Sequence, residues 1–448
     1  MEIKIPAPAE EILTKLNDNG YEAYVVGGCV RDMILGREPG DWDITTSALP
    51  EQVKQVFRRT VDTGIQHGTV TVMMGDEGYE VTTYRIDGEY ADGRHPDSVT
   101  FTPSLTEDLK RRDFTINAMA YNGNTGLVDE FGGMDDLDRG IIRCVGEPMD
   151  RFSEDALRIL RAIRFSAQLG FTIEGRTYEA IRAIAPNMVH VSKERIQVEL
   201  TKLLLSPNPG HINMVYETGI SPYVSETFHK VYCREEDGGL DEGKQVERED
   251  GQRPECADRQ RPEGENGRQV EREDGKPFFV IPAIPAQVPP VRHMRWAAFL
   301  RKCPPDEAVR ILKDLKLDND TINRVRTLVS WQDYRLGPDK YSIRTAMSRM
   351  EPDLFDDLLD FRMCLAQMES EGNKTCQEHL AHTAMLVDEI RRDGDCISLK
   401  TLAVGGNDII KAGVKPGKEV GLALARLLEM VLEEPGRNTK EYLLQHLV

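Results

Sequence analysis

None of the eight cysteines (29, 144, 233, 256, 303, 364, 376 and 396) stands in a C-x-x-C pair, so this scatter reads as free thiols rather than as a disulfide framework. No apolar run reaches the ~18 residues that a membrane-spanning helix needs. The opening MEIKIPAPAE lacks the basic and apolar parts of a signal peptide. These absences predict a cytoplasmic chain with no membrane partner. An excess of positive charge is missing too. The formal charge is -19, which argues against indiscriminate nucleic-acid binding, because non-specific affinity comes from neutralising phosphates with Lys and Arg. Arginine is nevertheless concentrated at 111–112, 158–164 and 292–301, so local basic surfaces can coexist with an acidic whole. With 448 residues, 40% of them hydrophobic, the chain is too long for one ordinary core and has enough apolar side chains for about two to four domains.

What is present centres on Tyr24 to Thr46, YVVGGCVRDMILGREPGDWDITT. Ala23 to Val26 is a run of strand formers that stops at Gly27-Gly28, where a bare backbone can approach an anion. From Val30 to Leu35 the apolar spacing is helical, and Arg31 lies in the first turn, where backbone N–H groups and a guanidinium can meet phosphates. After the Pro39-Gly40 turn the chain resumes as Asp41-Trp42-Asp43-Ile44. Carboxylates at i and i+2 of a strand share a face, so Asp41 and Asp43 can bind the same one or two hard cations through oxygen, as two-metal phosphoryl transfer requires.

Further along, a helix is predicted from Leu49 to about Arg59, with Val53, Val56 and Phe57 on its inner face. Residues 69–74 and 79–85 alternate around Gly75-Asp76-Glu77-Gly78 as a hairpin. Glu80 is then on a strand beside the Asp41–Asp43 strand, and by itself it reads as a charge on a solvated strand face. Residues 87–97 form a polar, glycine-rich loop, residues 98–102 a strand, and Leu109 to Tyr121 a helix carrying Arg111 and Arg112. Ser153 reads as an N-cap for one long helix through EDALRILRAIRFSAQL. On it Ala156, Ile159, Leu160, Ile163 and Ala167 make an apolar stripe, Asp155, Arg158 and Arg161 lie opposite, and Arg164 lies at the edge.

Strand, GG, helix with Arg, turn and D-x-D, in that order, resemble the opening of the polymerase-beta-like nucleotidyltransferases. GGCVRD at 27–32 with DWDI at 41–44 resembles motif A of tRNA nucleotidyltransferases, the CCA-adding enzymes, and the class II, Gram-positive bacterial branch looks closest. The resemblance implies an α+β fold: an N-terminal nucleotidyltransferase head with a mixed or antiparallel sheet, then an all-α neck, body and tail. It implies addition of CCA to tRNA from CTP and ATP without a nucleic-acid template. Mg²⁺ would be held by Asp41 and Asp43, with Glu80 completing an acidic triad, while Gly28, Arg31 and Arg112 grip phosphates. RRDFTINAM at 111–119 is similar to motif B, and DGRH at 92–95 to the loop that serves the switch from cytidine to adenosine. EDALR at 154–158 is similar to motif D, in which the Asp and Arg read the incoming base; by this likeness Asp155 and Arg158 are the readers, with Arg161 and Arg164 also serving the nucleotide. VSKERIQVEL at 191–200 looks like motif E, a support for the neck. Self-association as a homodimer stays open. The rival readings are a bacterial poly(A) polymerase or A-adding enzyme of the same superfamily and, from another class, an inactive RNA-binding adaptor.

The expected division is a catalytic head at 1–145, a neck for nucleotide selection at 146–210, a body at 211–335 and a tRNA-binding tail at 336–448. The body carries an insertion at 234–277 with almost no large apolar residues and a repeated QVEREDG at 245–251 and 269–275; it cannot bury enough surface to offset its ordering entropy, and disorder is expected. Trp296 and Trp331 read as core. Cys376, His379 and His382 read as a helix face rather than a zinc site, and Asn407 or Asp408 as an N-cap before Ile409.

Overall fold

The structure, a computed structural model, describes residues 4–88, 99–232, 270–271, 277–278, 287–368 and 374–447. The glycine-rich loop at 87–97 and the insertion at 234–277 therefore fall almost entirely outside the described residues.

The head opens with α1 (Ala7–Asp18), β1 (Ala23–Val26), α2 (Gly28–Ile34), β2 (Ile44–Thr46), α3 (Pro50–Val56), β3 (Thr60–Gly64), β4 (Thr69–Met74) and β5 (Glu77–Thr83). It continues through β6 (Arg85–Asp87), β7 (Val99–Phe101), α4 (Leu105–Lys110), β8 (Ala120–Asn122), β9 (Gly126–Val128) and α5 (Gly133–Arg139). Seven strands form one mixed sheet in the order β3-β4-β5-β2-β1-β8-β9. β1 is buried at all four positions, which suits an interior strand covered on both faces. Ala9, Ile12, Leu13 and Leu16 of α1, spaced as one helical stripe, bury against that sheet. β2 pairs antiparallel with β1 and parallel with β5, with Ile44 opposite Val81.

The neck follows as β10 (Ile141–Ile142), α6 (Pro148–Glu154), α7 (Leu157–Leu169), β11 (Thr172–Ile173), α8 (Gly175–Ile184) and α9 (Lys193–Leu204). The next part of the chain holds α10 (Asn213–Glu217), α11 (Ser221–Val224), α12 (Glu226–Lys230), the two-residue backbone pair β12 and β13 (Val270–Glu271, Pro277–Phe278), α13 (Arg292–Leu300), α14 (Pro305–Asp314) and α15 (Asn319–Trp331). The last part is α16 (Lys340–Met347), α17 (Pro352–Met368), α18 (Lys374–Asp393), α19 (Gly406–Lys411), α20 (Lys418–Glu433) and α21 (Lys440–Gln445). An α+β head followed by helices is the expected class. One apolar core runs from Ala9 through the neck to Phe361, while two further cores, Leu336 to Ile390 and Cys396 to Leu443, lie in the last part. Trp296 is fully buried with its indole N–H donating to Thr201, whereas Trp331 is only partly buried.

Four local expectations are corrected. Strand geometry begins at Ile44, so Asp41 to Asp43 form a lead-in; only the Asp43 carbonyl extends the ladder, accepting from the Val26 N–H at 3.0 Å. Residues 109–121 are not a helix: α4 ends at Lys110 and a 3-10 turn at Thr115–Asn117 leads into β8. There the Thr115 hydroxyl donates to Asp136 and its N–H to the Arg143 carbonyl, long-range bonds that outweigh local helix preference. The neck helix is broken in two. Ser153 lies in the last turn of α6, its hydroxyl bonding back to the Met149 carbonyl, and Asp155 is extended at the break (φ -142°, ψ 101°). Finally, α19 is capped by Gly405, and Asp408 acts from the third position by accepting the Gly405 N–H at 3.1 Å.

Candidate active site

The glycine turn after β1 is built for close approach. Gly27 adopts φ +84°, ψ -129°, and a Cβ there would sit 2.8 Å from Nη1 of Arg112. Gly28 opens α2 with ordinary φ, and a Cβ on it would lie 3.6 Å from Nη2 of Arg31. The strained position is thus Gly27, whereas the glycine expected to grip phosphate was its neighbour Gly28. Gly27→Ala is expected to cost about 1–3 kcal/mol in backbone strain and to displace Arg112. The checks are thermal denaturation, which should show a lowered midpoint, and nucleotide binding, which should weaken by roughly tenfold, about 1.4 kcal/mol.

Asp41 and Asp43 are both exposed, on the lead-in to β2. The parallel register that sets Ile44 against Val81 brings Glu80 level with Asp43. Desolvation raises the Asp43 carboxyl above its usual range; Arg112 opposes this, and the charges of Asp41 and Glu80 add to it. The four groups therefore feel one another. Among the described residues no three His, Cys, Asp or Glu side chains are drawn close enough to form a metal cage. Two carboxylates on an open surface fit instead a small hard cation that takes its other ligands from water and phosphate. Nearby, burial and then Asp43 push the Cys29 thiol up to about 11, so it stays protonated and is no nucleophile. The six described cysteines are free thiols.

Arg112 has the features of a phosphate ligand. Its Nε is buried and has no hydrogen-bond partner, and its Nη2 stands 3.9 Å from Asp108. Asp108, fully buried, accepts from the Thr45 hydroxyl, the Arg85 N–H and Arg111, which ties β2, β6 and α4 together behind Arg112. Arg31 is nearly buried; it pairs with Asp32 at 2.9 Å and donates to Asn117 at 2.5 Å.

α7 is enclosed on almost every side, which corrects the expectation that its arginines lie on an open face. Arg161 donates twice to Asp113, at 2.8 and 2.6 Å, and Arg164 pairs with Glu199 at 2.7 Å. Burial alone would raise Asp113, but Arg161, the hydrogen bonds from Asn117 and Arg161, and Arg158 hold it well below the usual carboxylate range. Asn117 donates to Asp113 at 3.1 Å and accepts from Arg31. A chain of polar contacts, Arg161–Asp113–Asn117–Arg31, thus joins neck to head.

Asp155 and Arg158 each have a partner of their own. Asp155 accepts from the Leu157 N–H and pairs with Arg195 at 2.7 Å; Arg158 pairs with Glu154 at 2.7 Å and donates to the carbonyls of Arg151 and Arg111. Sequence separations of 35 to 86 residues explain why Arg195, Glu199 and Asn117 were not assigned these roles from spacing. In α18, His379 bonds to the Leu336 carbonyl and His382 is exposed. No helix among the described residues is long and apolar enough to cross a membrane.

Known proteins resemble this chain over most of its length. Residues 23–143 match the Poly A polymerase head domain, 170–230 the "Probable RNA and SrmB- binding site of polymerase A", and 292–447 a tRNA nucleotidyltransferase domain 2. A CCA-adding enzyme of Leuconostoc mesenteroides is 56% identical over 197 residues, 44% of this chain and 49% of that protein. One from Geobacillus thermodenitrificans is 51% identical over 214 residues, 48% and 53% of the two chains. The chain spans about half the length of the curated relatives it matches. A Thermotoga maritima CCA-adding enzyme complexed with tRNA, at 20% identity and TM-score 0.56 over 100% of this chain and 96% of that one, shares the fold. The crystal structure of a Bacillus stearothermophilus CCA-adding enzyme in complex with CTP aligns over 99% of this chain and 97% of that one, with TM-score 0.72 and 30% identity. On this full-length likeness, and on the glycine turn, paired aspartates and arginine-lined neck described above, the chain belongs to the CCA-adding enzyme family.

Proposed function

We propose that the protein adds the 3′-terminal CCA to tRNA from CTP and ATP, without a nucleic-acid template and with release of pyrophosphate, in the cytoplasm. The observation that carries the reading is the setting of Asp43, which feels Asp41 and Glu80 on one side and the partly unpartnered Arg112 beside the Gly27 turn on the other. Asp41 and Asp43 are the cation ligands, Glu80 adds negative charge beside them, and Gly28, Arg31 and Arg112 receive the triphosphate. Mg²⁺ held there would lower the pKa of the attacking tRNA 3′-hydroxyl and offset charge on the departing pyrophosphate. The head performs the chemistry, the neck selects the nucleotide and the tail holds the tRNA. The deciding assay incubates purified protein with tRNA lacking its last three nucleotides and with CTP, ATP or both. Three added residues and then a stop support CCA addition. Open-ended adenylation would instead mark a poly(A) polymerase, addition of A alone an A-adding enzyme, and no pyrophosphate an RNA-binding adaptor.

Base choice falls to Asp155 and Arg158. An ionised carboxylate only accepts and a guanidinium only donates, so the two complement an amino group beside a ring nitrogen, the edge that cytosine and adenine share. Arg195 and Glu154 orient them. Uracil and guanine present the reverse polarity, a mismatch worth several kcal/mol, or about 10²-fold or more, when buried. Asp155→Ala with Arg158→Ala should therefore lose discrimination against UTP and GTP more than it loses rate with CTP. Competition assays with paired nucleotides measure this, and unchanged selectivity at reduced rate would assign base reading to other groups.

A further inference from the structure

We propose that Phe165 is a positioning residue of the nucleotide site, its ring holding the carboxylate-paired guanidinium groups of Arg31, Arg161 and Arg164 in a preformed arrangement of N–H donors for a triphosphate. This rests on the reading of the site as a nucleotide site. Phe165 is 5% exposed. The Arg164 guanidinium lies 3.6 Å from its ring centroid, Arg31 at 5.1 Å and Arg161 at 5.4 Å. All three are within the ~6 Å over which an aromatic quadrupole attracts a cation. They come from different places: Arg31 from α2 in the head, Arg161 and Arg164 from α7 in the neck. Phe114, in the segment between α4 and β8, packs edge-on against Phe165 at 5.7 Å and 79°, which fixes the tilt of the ring.

The chemistry explains why a ring stands here. Three like charges repel, and something must hold them together. Asp32, Asp113 and Glu199 each pair with one of them, but every carboxylate consumes N–H donors and cancels charge that a phosphate needs. An aromatic face attracts a guanidinium without using a donor and without carrying a net charge. A leucine or methionine would fill the same space without this attraction. The ring packs on the arginines and Phe114 and offers no hydrogen-bonding group to a base, so its contribution should be the same for CTP and ATP.

The test replaces Phe165 in the full chain with 4-fluoro-, 3,5-difluoro- and 3,4,5-trifluorophenylalanine. These keep the shape of the ring while progressively removing the negative charge of its face. The readouts are the dissociation constants of CTP and ATP measured directly, with KM and kcat alongside. Both dissociation constants should rise stepwise, reaching roughly tenfold in the trifluoro protein, with kcat and CTP-to-UTP selectivity held and the melting temperature lowered by only a few degrees. Phe165→Leu should show the same loss and Phe165→Tyr should retain affinity. A flat series in a protein that binds CTP, or affinity retained in Phe165→Leu, overturns the positioning role. If unmodified protein binds neither CTP nor ATP, it is the nucleotide-site reading itself that fails, and the positioning role with it.

Discussion

Asp43→Asn is expected to abolish nucleotide transfer with every substrate, by roughly three orders of magnitude or more, while the chain stays folded. The asparagine keeps the shape of the side chain and removes the anionic oxygen that a hard cation requires. The melting temperature should be unchanged or higher. Desolvation raises the Asp43 carboxyl, with the charges of Asp41 and Glu80 adding to it against Arg112. A raised carboxyl means that the folded chain binds this proton more tightly than the unfolded chain does. Ionised Asp43 therefore opposes folding at neutral pH, and the opposition fades as pH falls through the folded value and both states become protonated. Measured with divalent cations chelated, the substitution should remove that opposition. Loss of turnover together with a raised melting point would show that stability is sacrificed for chemistry here. Retained turnover in Mg²⁺ would sink the metal-ligand assignment.

Asp113→Ala should destabilise the chain by about 2–3 kcal/mol, because it leaves Arg161 without its nearest carboxylate and breaks the relay through Asn117 to Arg31. Asp113 is 8% exposed but the Arg161 side chain is 34% exposed, so solvent screens part of the pair and the cost stays below that of a fully buried one. The pH dependence has the opposite sign to that of Asp43. Against the effect of burial, Arg161 and its hydrogen bond, Asn117 and Arg158 hold Asp113 below the ordinary carboxylate range, so it binds a proton more weakly in the folded chain. Its contribution is complete above about pH 5 and is withdrawn as pH falls below roughly 4. Denaturation curves of the wild type and Asp113→Ala should differ by a constant amount from neutral pH down to about 5 and converge in acid. A difference that does not depend on pH would mean that Asp113 acts through packing rather than charge. A cycle with Arg161→Ala separates the pair from its surroundings.

Much of the head was legible along the chain because its signals are local. β1, the turn at Gly27-Gly28, α3 and the β4–β5 hairpin follow from apolar period and turn chemistry within a few residues. Placing Glu80 beside the aspartates needed only the assumption that neighbouring strands pair, and the register of β2 on β5 supplies it. The segment 109–121 shows where this fails. Its pattern is helical, yet Thr115 is claimed by Asp136 and Arg143, and Asp113 by Arg161, and those partners lie 21 to 48 residues away.

The amino-acid sequence by itself carried the likeness to a known family, since a glycine turn, a D-x-D pair and arginine-rich motifs stand in that family's order, and the roles expected of them are what that resemblance implies. Only the tertiary structure decided how the charges are shared. α7 carries its arginines on what reads as an open face, but α9 of the neck and the Arg111–Asp113 segment of the head pack against it, so Arg158 and Arg164 are buried and paired and Arg161 is locked to Asp113. It also decided that Asp155 sits at a break between two helices, facing Arg195. The physical reason is that a buried charge must find a partner. That partner is set by which elements pack together, and the local sequence does not carry this information.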